Sequence, residues 1–243
     1  MRIIKLNAID STNSFLRKLS AEESIDDFTV VVTEHQTNGR GQMGTHWQSE
    51  NAKNLMFSVF KEVNDLNIEQ QFYISMAVSL AVFDALKTFQ MRTLKIKWPN
   101  DILSEQQKLC GILIENVIKQ NKIKSSIIGI GININQTSFK DLPNATSMTL
   151  ISGQYFDTEE VLQEVLNQMK HYFSFIASKS FKALKQAYES KLFRKNKPST
   201  FKDKKDNLFT GYIKGVSKSG HLQVLVENDV LKLFELKEVQ LLY

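Results

Sequence analysis

The sequence predicts an α+β fold, a mainly antiparallel or mixed sheet covered by helices, with a small β-module appended toward its C-terminal end. Three observations carry this. Extended segments come in runs rather than in strict alternation with helices. One long apolar stretch, residues 69–89, has the periodicity and length of a buried helix. Composition then shifts at Arg194-Lys-Asn-Lys-Pro-Ser to charge, proline and turn residues. The chain thereby divides into a larger unit, residues 1–195, and a smaller one, residues 199–243.

Arg2 to Leu6 reads as a short strand, and Asp10-Ser-Thr-Asn-Ser offers capping side chains to a short helix carrying Phe15, Leu16 and Leu19. Residues 29–34 are rich in β-branched side chains and read as a buried strand, and residues 54–61 alternate as another. After the long helix, Leu94 to Trp98 alternates and stops at Pro99. Ile102-Leu103 and Leu109 to Ile118 flank a polar stretch as a β-hairpin, followed by a turn near Asn121 and a strand from Ile127 to Ile134. Two helices, 157–177 and 180–192, complete the larger unit. From Thr200 onward, residues 209–216, 221–226 and 230–236 read as short strands joined by Ser-Gly and Asn-Asp turns. A little β-barrel of about 45 residues buries too little apolar area to stand alone and needs to dock on its neighbour.

Composition bounds the function. A length of 243 residues supports a full core, and 42% hydrophobic with 23% charged residues is ordinary for a globular protein. The most apolar window, Phe72 to Leu86, is broken by Ser75, Ser79 and Asp84 and falls short of the roughly 20 residues a membrane span needs. Met1-Arg-Ile-Ile-Lys-Leu-Asn carries charge where a secretory leader needs an apolar run, so a cytoplasmic protein is expected. The single cysteine, Cys110, excludes an internal disulfide and a Cys-clustered zinc site. His35, His46, His171 and His221 lack ligand spacing, so any metal is expected to be oxygen-ligated and borrowed from a substrate. The net charge of +5 admits an acidic partner or a nucleotide, but Lys and Asp/Glu are interspersed and read mostly as solvated surface.

Five segments bear on chemistry. Thr33 to Trp47, T-E-H-Q-T-N-G-R-G-Q-M-G-T-H-W, leaves the end of a strand with Gly39, Gly41 and Gly44 around Arg40. Its glycines let backbone amides approach a ligand and Arg40 places a fixed charge beside an anion, although a flexible surface loop would look the same. Ser11-Thr12-Asn13 either caps its helix or faces a ligand. Lys97-Trp98-Pro99-Asn100-Asp101 presents an amide and a carboxylate at a strand terminus, or is a plain turn. Lys108-Leu-Cys-Gly111-Ile-Leu-Ile-Glu115 places a lysine at the mouth of a strand, which an edge lysine on a hairpin also explains. Gly129 and Gly131 lie two apart, so their missing side chains leave a slot on one sheet face, a parity Asn133 shares.

Taken in order, Ser-Thr-Asn, Gln36 with Gly-Arg-Gly-x-x-Gly and Trp47, Lys-Trp-Pro-Asn-Asp, Lys-Leu-x-Gly-Ile-Leu-Ile-Glu and Gly-Ile-Gly-Ile-Asn resemble the biotin protein ligase family, in motif detail over residues 1 to 150. The resemblance implies a synthetase-like catalytic core of the class II type with an SH3-like terminal module. It also implies a two-step enzyme in which biotin and ATP, with Mg²⁺, give biotinyl-5′-AMP, whose biotin then passes to one lysine of a carrier domain such as that of acetyl-CoA carboxylase. On this resemblance Arg40 and Lys108 are the catalytic cations, since a carboxylate must be brought against a phosphate. Ser11, Thr12, Asn13, Gln36 and the amides of Gly39, Arg40 and Gly41 would hold the ureido ring. Trp47, Gly111, Leu113 and the Gly129/Gly131 slot would pack on the rings and tail. Asn100 would read the adenine, Asn133 would lie near the phosphates, and Asp101 is the candidate for metal or for orienting Lys108.

Relatives often carry further arginines in the glycine loop, where Gln42 and Thr45 stand here, which suggests a looser hold on the acyl-adenylate. Ser-Thr-Asn begins at residue 11, which leaves no room before it for the helix-turn-helix of the bifunctional members, so no autonomous DNA binding is expected. A monomer or a homodimer is expected, relatives often pairing through sheet edges. A lipoate ligase shares the adenylation logic, but the Arg-Arg and triple glycine of that family are absent. A nucleic-acid-binding module is the reading from another class, and the terminal strands lack a ladder of aromatics interleaved with basic residues.

Overall fold

The computed structural model describes residues 1–140 and 142–243, without the side chains of Met43, Asn64 and Asp65. The chain opens with β1 (Ile3–Ile9), α1 (Thr12–Glu22), β2 (Thr29–Gln36), β3 (Leu55–Asn67) and α2 (Phe72–Thr88). Then come β4 (Leu94–Lys97), β5 (Asp101–Ser104), β6 (Gln107–Lys119) and β7 (Lys122–Ile132). Three helices follow, α3 (Met148–Ser152), α4 (Thr158–Ala177) and α5 (Phe181–Ser190). The last strands are β8 (Pro198–Asp203), β9 (Leu208–Val216), β10 (Leu222–Val226), β11 (Val230–Phe234) and β12 (Val239–Leu242).

Seven strands form one mixed sheet in the order β1-β2-β3-β7-β6-β5-β4. Only β1 and β2 run parallel, and α1 is the crossover that a parallel pair requires. Ser11 caps α1, its hydroxyl lying 3.5 Å from the Ser14 amide. One face of the sheet carries the main core. There α2 is apolar on nearly every side because it lies between the sheet and α4 and α5. Helix α4 lays the stripe Val161, Leu162, Val165, Leu166, Met169 and Phe173 against it, the spacing of one helical face, and starts on an Asp157 cap. On the opposite face α1 packs over a smaller cluster of Leu16, Ile25, Val31, Phe60 and Ile127.

The last five strands make an antiparallel sheet, order β11-β10-β9-β8-β12. Its inner residues Phe201, Ile213, Val216, Leu222 and Val224 join the same core as α2, so the module is docked rather than tethered. Polar contacts fix the docking, with Trp98 Nε1 donating to Gly220 O at 2.8 Å and Val216 N donating to Glu189 Oε1 at 3.0 Å. Gly220 must be glycine twice over: its φ is +94° and the Phe72 ring fills the place of a Cβ.

Several elements exceed the sequence expectation. Strand β3 runs to Asn67 and β7 starts at Lys122, because the polar halves of both pair with each other, Glu62 opposite Ser125 and Leu66 opposite Ile123, past a register shift. Polar residues on both strands hide such a pairing from a hydrophobic pattern. Strands β8 and β12 were not expected; each is short and they hydrogen-bond to one another across about 40 residues of chain. Helix α3 spans only five residues, too few for a periodicity.

Leu86→Ala, at a fully buried position on α2, is expected to lower the unfolding free energy by about 2–5 kcal/mol. Urea denaturation followed by circular dichroism measures it, and a loss under about 1 kcal/mol would mean that α2 is not enclosed as described.

Candidate active site

A cleft of about 500 Å³ opens on the α1 face of the main sheet, within the range of small-molecule sites. Its floor is set by register. Gly111 on β6 lies opposite Gly131 on β7, which lies opposite Met56 on β3; the next row is Leu113, Gly129 and Ser58, and the next Glu115, Ile127 and Phe60. Two rows therefore contain glycine where a side chain would stand up from the sheet. Neither position is left open. The Asn13 side chain occupies the space above Gly129, and the Trp47 indole lies on Gly131, where a Cβ would come within 2.5 Å of Cε2. The expected slot for a ligand tail is thus filled by the protein, and what the glycines provide is a low floor for Trp47 and Asn13.

The glycine segment is a small hairpin rather than an open loop. Trp47 N donates to Gly39 O (2.9 Å), Gly41 N donates to Thr45 O (2.7 Å), and Arg40 bridges to His46 across it. A 3-10 turn at Gln42–Gly44 forms the tip, where the Thr45 hydroxyl donates to Gln42 O (2.9 Å). Gly39 is buried against Trp47 O and Gln36 Nε2 and does not face the cleft.

At one end of the cleft a polar network runs from the hairpin base to β6. Gln36 Oε1 accepts from Thr12 N (2.8 Å) and Thr12 Oγ1 (3.2 Å). The Ser58 hydroxyl lies 2.7 Å from Thr12 Oγ1 and donates to Asn13 Oδ1 at 2.6 Å. Asn13 Nδ2 donates to Glu115 Oε2 (2.9 Å), and Arg40 forks onto the same carboxylate, Nη2 to Oε1 at 2.9 Å and Nη1 to Oε2 at 3.3 Å. Ser58 and Glu115 had not been singled out from sequence, although Glu115 shares the parity of Gly111 and Leu113. Ser58 gave no such signal before the β3–β7 register was known.

The other end is cationic. Lys108 Nζ pairs with Asp101 Oδ1 at 2.7 Å and lies 5.8 Å from the centre of the Trp47 ring, above Gly111. Asp101 is the one carboxylate among the described residues lining the cleft. Asn100 also lines it, with its amide Nδ2 engaged to Ile112 O at 2.8 Å. Asn133 does not reach the cleft: it is buried, donating to Thr146 O (3.0 Å) and Lys108 O (3.5 Å), and so braces the strand that carries Lys108. Cys110, beside it, is fully buried, and burial pushes its thiol well above the usual thiol range despite Lys108 nearby, so it stays a protonated packing residue rather than a nucleophile. Leu236, Lys237 and Gln240, from the turn before β12 and from β12, close the side of the cleft facing the docked module.

A sheet floor cut low by glycines, a polar network at one end and a lysine–aspartate pair at the other define a small-molecule site on a mixed α+β scaffold. The sequence model of the biotin/lipoate A/B protein ligase family matches residues 6–133, and the chain belongs to that family. It is 30% identical over 193 residues to the bifunctional ligase/repressor BirA of Bacillus subtilis, covering 77% of this chain and 58% of the relative. To the biotin–[acetyl-CoA-carboxylase] ligase of Mycobacterium tuberculosis it is 31% identical over 163 residues, covering 66% and 59%. The matches thus span less than two thirds of these relatives' length. Among solved structures, the biotin protein ligase of Aquifex aeolicus in complex with biotin and ATP superposes with a TM-score of 0.82 at 29% identity, over 99% of this chain and 98% of that one.

Gly131→Val should push the Trp47 indole off the floor. Tryptophan fluorescence is expected to shift to the red with greater acrylamide quenching at unchanged circular dichroism; an unaltered spectrum would show that the ring does not rest on Gly131.

Proposed function

We propose that this protein joins biotin to a carrier protein in two steps. In the first, an oxygen of the biotin carboxylate attacks the α-phosphorus of ATP, the bond to the β-phosphate oxygen breaks, and pyrophosphate leaves biotinyl-5′-AMP. In the second, the neutral amine of a carrier lysine attacks the acyl carbon, the bond to the AMP oxygen breaks, and the amine loses a proton. The carrier is a biotin carboxyl carrier domain, of acetyl-CoA carboxylase or a related enzyme. No protein nucleophile is needed, so catalysis consists of positioning and charge stabilisation.

The observation that carries this reading is Lys108, held above Gly111 by Asp101 at the end of the cleft away from the Ser11–Asn13 network. Biotin would lie with its ureido ring toward Thr12, Gln36 and the hairpin amides, its apolar part beside Trp47 and Leu113, and its carboxylate toward Lys108. The nucleotide would then occupy the side lined by Asn100 and the module; likeness to the Aquifex ligase solved with biotin and ATP supports that pair of substrates. Mg²⁺ would come with the ATP phosphates and offset their charge. Among the described residues lining the cleft Asp101 is the carboxylate placed to touch it, and it is already paired, which suits a metal held mainly by phosphate and water.

A cation about 4 Å from a phosphate charge contributes about 4 kcal/mol at an effective dielectric of 20, or about 10³ in rate. Lys108 is 37% exposed and shared with Asp101, which reduces this to roughly 10²-fold. Incorporation of labelled biotin into a purified carrier domain by Lys108→Ala is therefore expected to fall by about 10²-fold; near-normal transfer removes Lys108 from the mechanism. Lipoate offered in the same assay is expected to give no transfer, and preferential lipoylation would reassign the substrate.

Gln42 lines the cleft at the hairpin tip, where the family resemblance implies an additional arginine in many relatives. Biotinyl-AMP is expected to leave this protein faster than an arginine-bearing relative, and Gln42→Arg to slow its release; equal dissociation rates would rule this out.

A further inference from the structure

The structure sets Arg40 and Lys108 at opposite ends of the cleft. Lys108 Nζ lies above Gly111, whereas the Arg40 guanidinium sits on Glu115, four residues further along β6 on the same face. At the rise of a strand the two positions on which they rest are roughly 13 Å apart along the backbone. In this arrangement Arg40 is engaged by Glu115 and Lys108 by Asp101, so the two cations are held by different partners.

The Glu115 side chain is 20% exposed and stands in a row with Ile127 and Phe60, surroundings in which an unpaired carboxylate is costly. It is compensated by the Arg40 fork and by Asn13 Nδ2, with Arg17 Nη1 at 3.6 Å on the outer side. Asn13 is in turn fixed at its other end by Ser58. One carboxylate thus holds both the buried amide of the polar network and one arm of the glycine hairpin. The other arm is held by Trp47 on Gly131.

We propose that Glu115 is a positioning residue for ligand binding: it fastens the glycine hairpin over the cleft through Arg40 and orients the Asn13 amide, so that Arg40 serves as the latch of this lid and, of the two cations, it is Lys108 that faces the phosphates. This rests on the cleft being the biotin and ATP site. Arg17 and Ser14, whose hydroxyl lies 3.4 Å from Arg40 Nη1, flank the latch without replacing it, since neither joins the hairpin to the sheet.

Glu115→Gln, Arg40→Gln and the double variant test this, with biotin affinity and release measured without ATP, steady-state kinetics, and limited proteolysis of the ligand-free protein between Arg40 and Trp47. Each single change is expected to weaken biotin binding about tenfold, the loss of one charge-assisted pair. The double is expected to be no weaker than either single, because both remove the same contact. The KM for ATP should change less than about twofold, and the hairpin should become protease-sensitive in all three. Additive losses, or an Arg40→Gln variant that raises the KM for ATP or slows adenylation while Glu115→Gln does not, would put Arg40 on the phosphates and overturn the proposal. If the unaltered protein binds no biotin, the function proposed above fails. The latch is then judged by proteolysis alone, where cleavage of Glu115→Gln at the unaltered protein's rate refutes it. Arg40, 40% exposed on the hairpin, provides a variant whose folding does not depend on the sheet.

Discussion

The site depends on one constraint, the side-by-side placement of Gly111 on β6 and Gly131 on β7, with Gly129 in the next row. Side chains standing at these positions on the two neighbouring strands would fill this part of the α1 face of the sheet. Removing them lowers the floor by the depth of a side chain, and Trp47 and Asn13 settle into the space. The hairpin can lie across the sheet only because Trp47 can lie flat, and α1 can present its first residues to the cleft only because Asn13 can press onto Gly129. A methyl group at either position would displace packed atoms, not flexible ends, so cleft and lid stand or fall on register.

Charge is then distributed along β6. Two ion pairs, Lys108 with Asp101 and Arg40 with Glu115, occupy the two ends of the cleft, with Leu113 between them. The separation suits a ligand that is neutral at one end and anionic at the other: the neutral end meets hydrogen-bonding groups already fixed by one another, and the anionic end meets a lysine. Both pairs are partly exposed, so each contributes more to geometry than to stability. Asn133, spent on the backbone beneath Lys108, shows the same economy, since the strand bearing the cation is braced from its buried side.

The docked module adds a wall. Trp98, in the turn between β4 and β5, spends its indole N–H on Gly220 of the module, while Lys97 and Asp101 on either side of that turn face the cleft. The five residues from Lys97 to Asp101 therefore join the two units and line the site at once. Their cluster of tryptophan, proline, amide and carboxylate was legible as a special turn. Its junction role was not, because the partner glycine lies more than a hundred residues away.

By itself the sequence determined the α+β class, the long buried helix and most of the residues that line the cleft, because periodicity, β-branching, capping and glycine spacing are local properties of the chain. Only the tertiary structure decided what those residues do to one another. It put Asn13 and Trp47 into the space expected for a ligand, turned Asn133 away into a brace, parted Arg40 from Lys108, and brought in Ser58 and Glu115. Each of these follows from which strand lies beside which and in what register. Register is fixed by the sum of many non-local pairings, such as Ser58 beside Gly129 and Glu115 beside Ile127, and a one-residue slip would turn every one of these side chains to the other face.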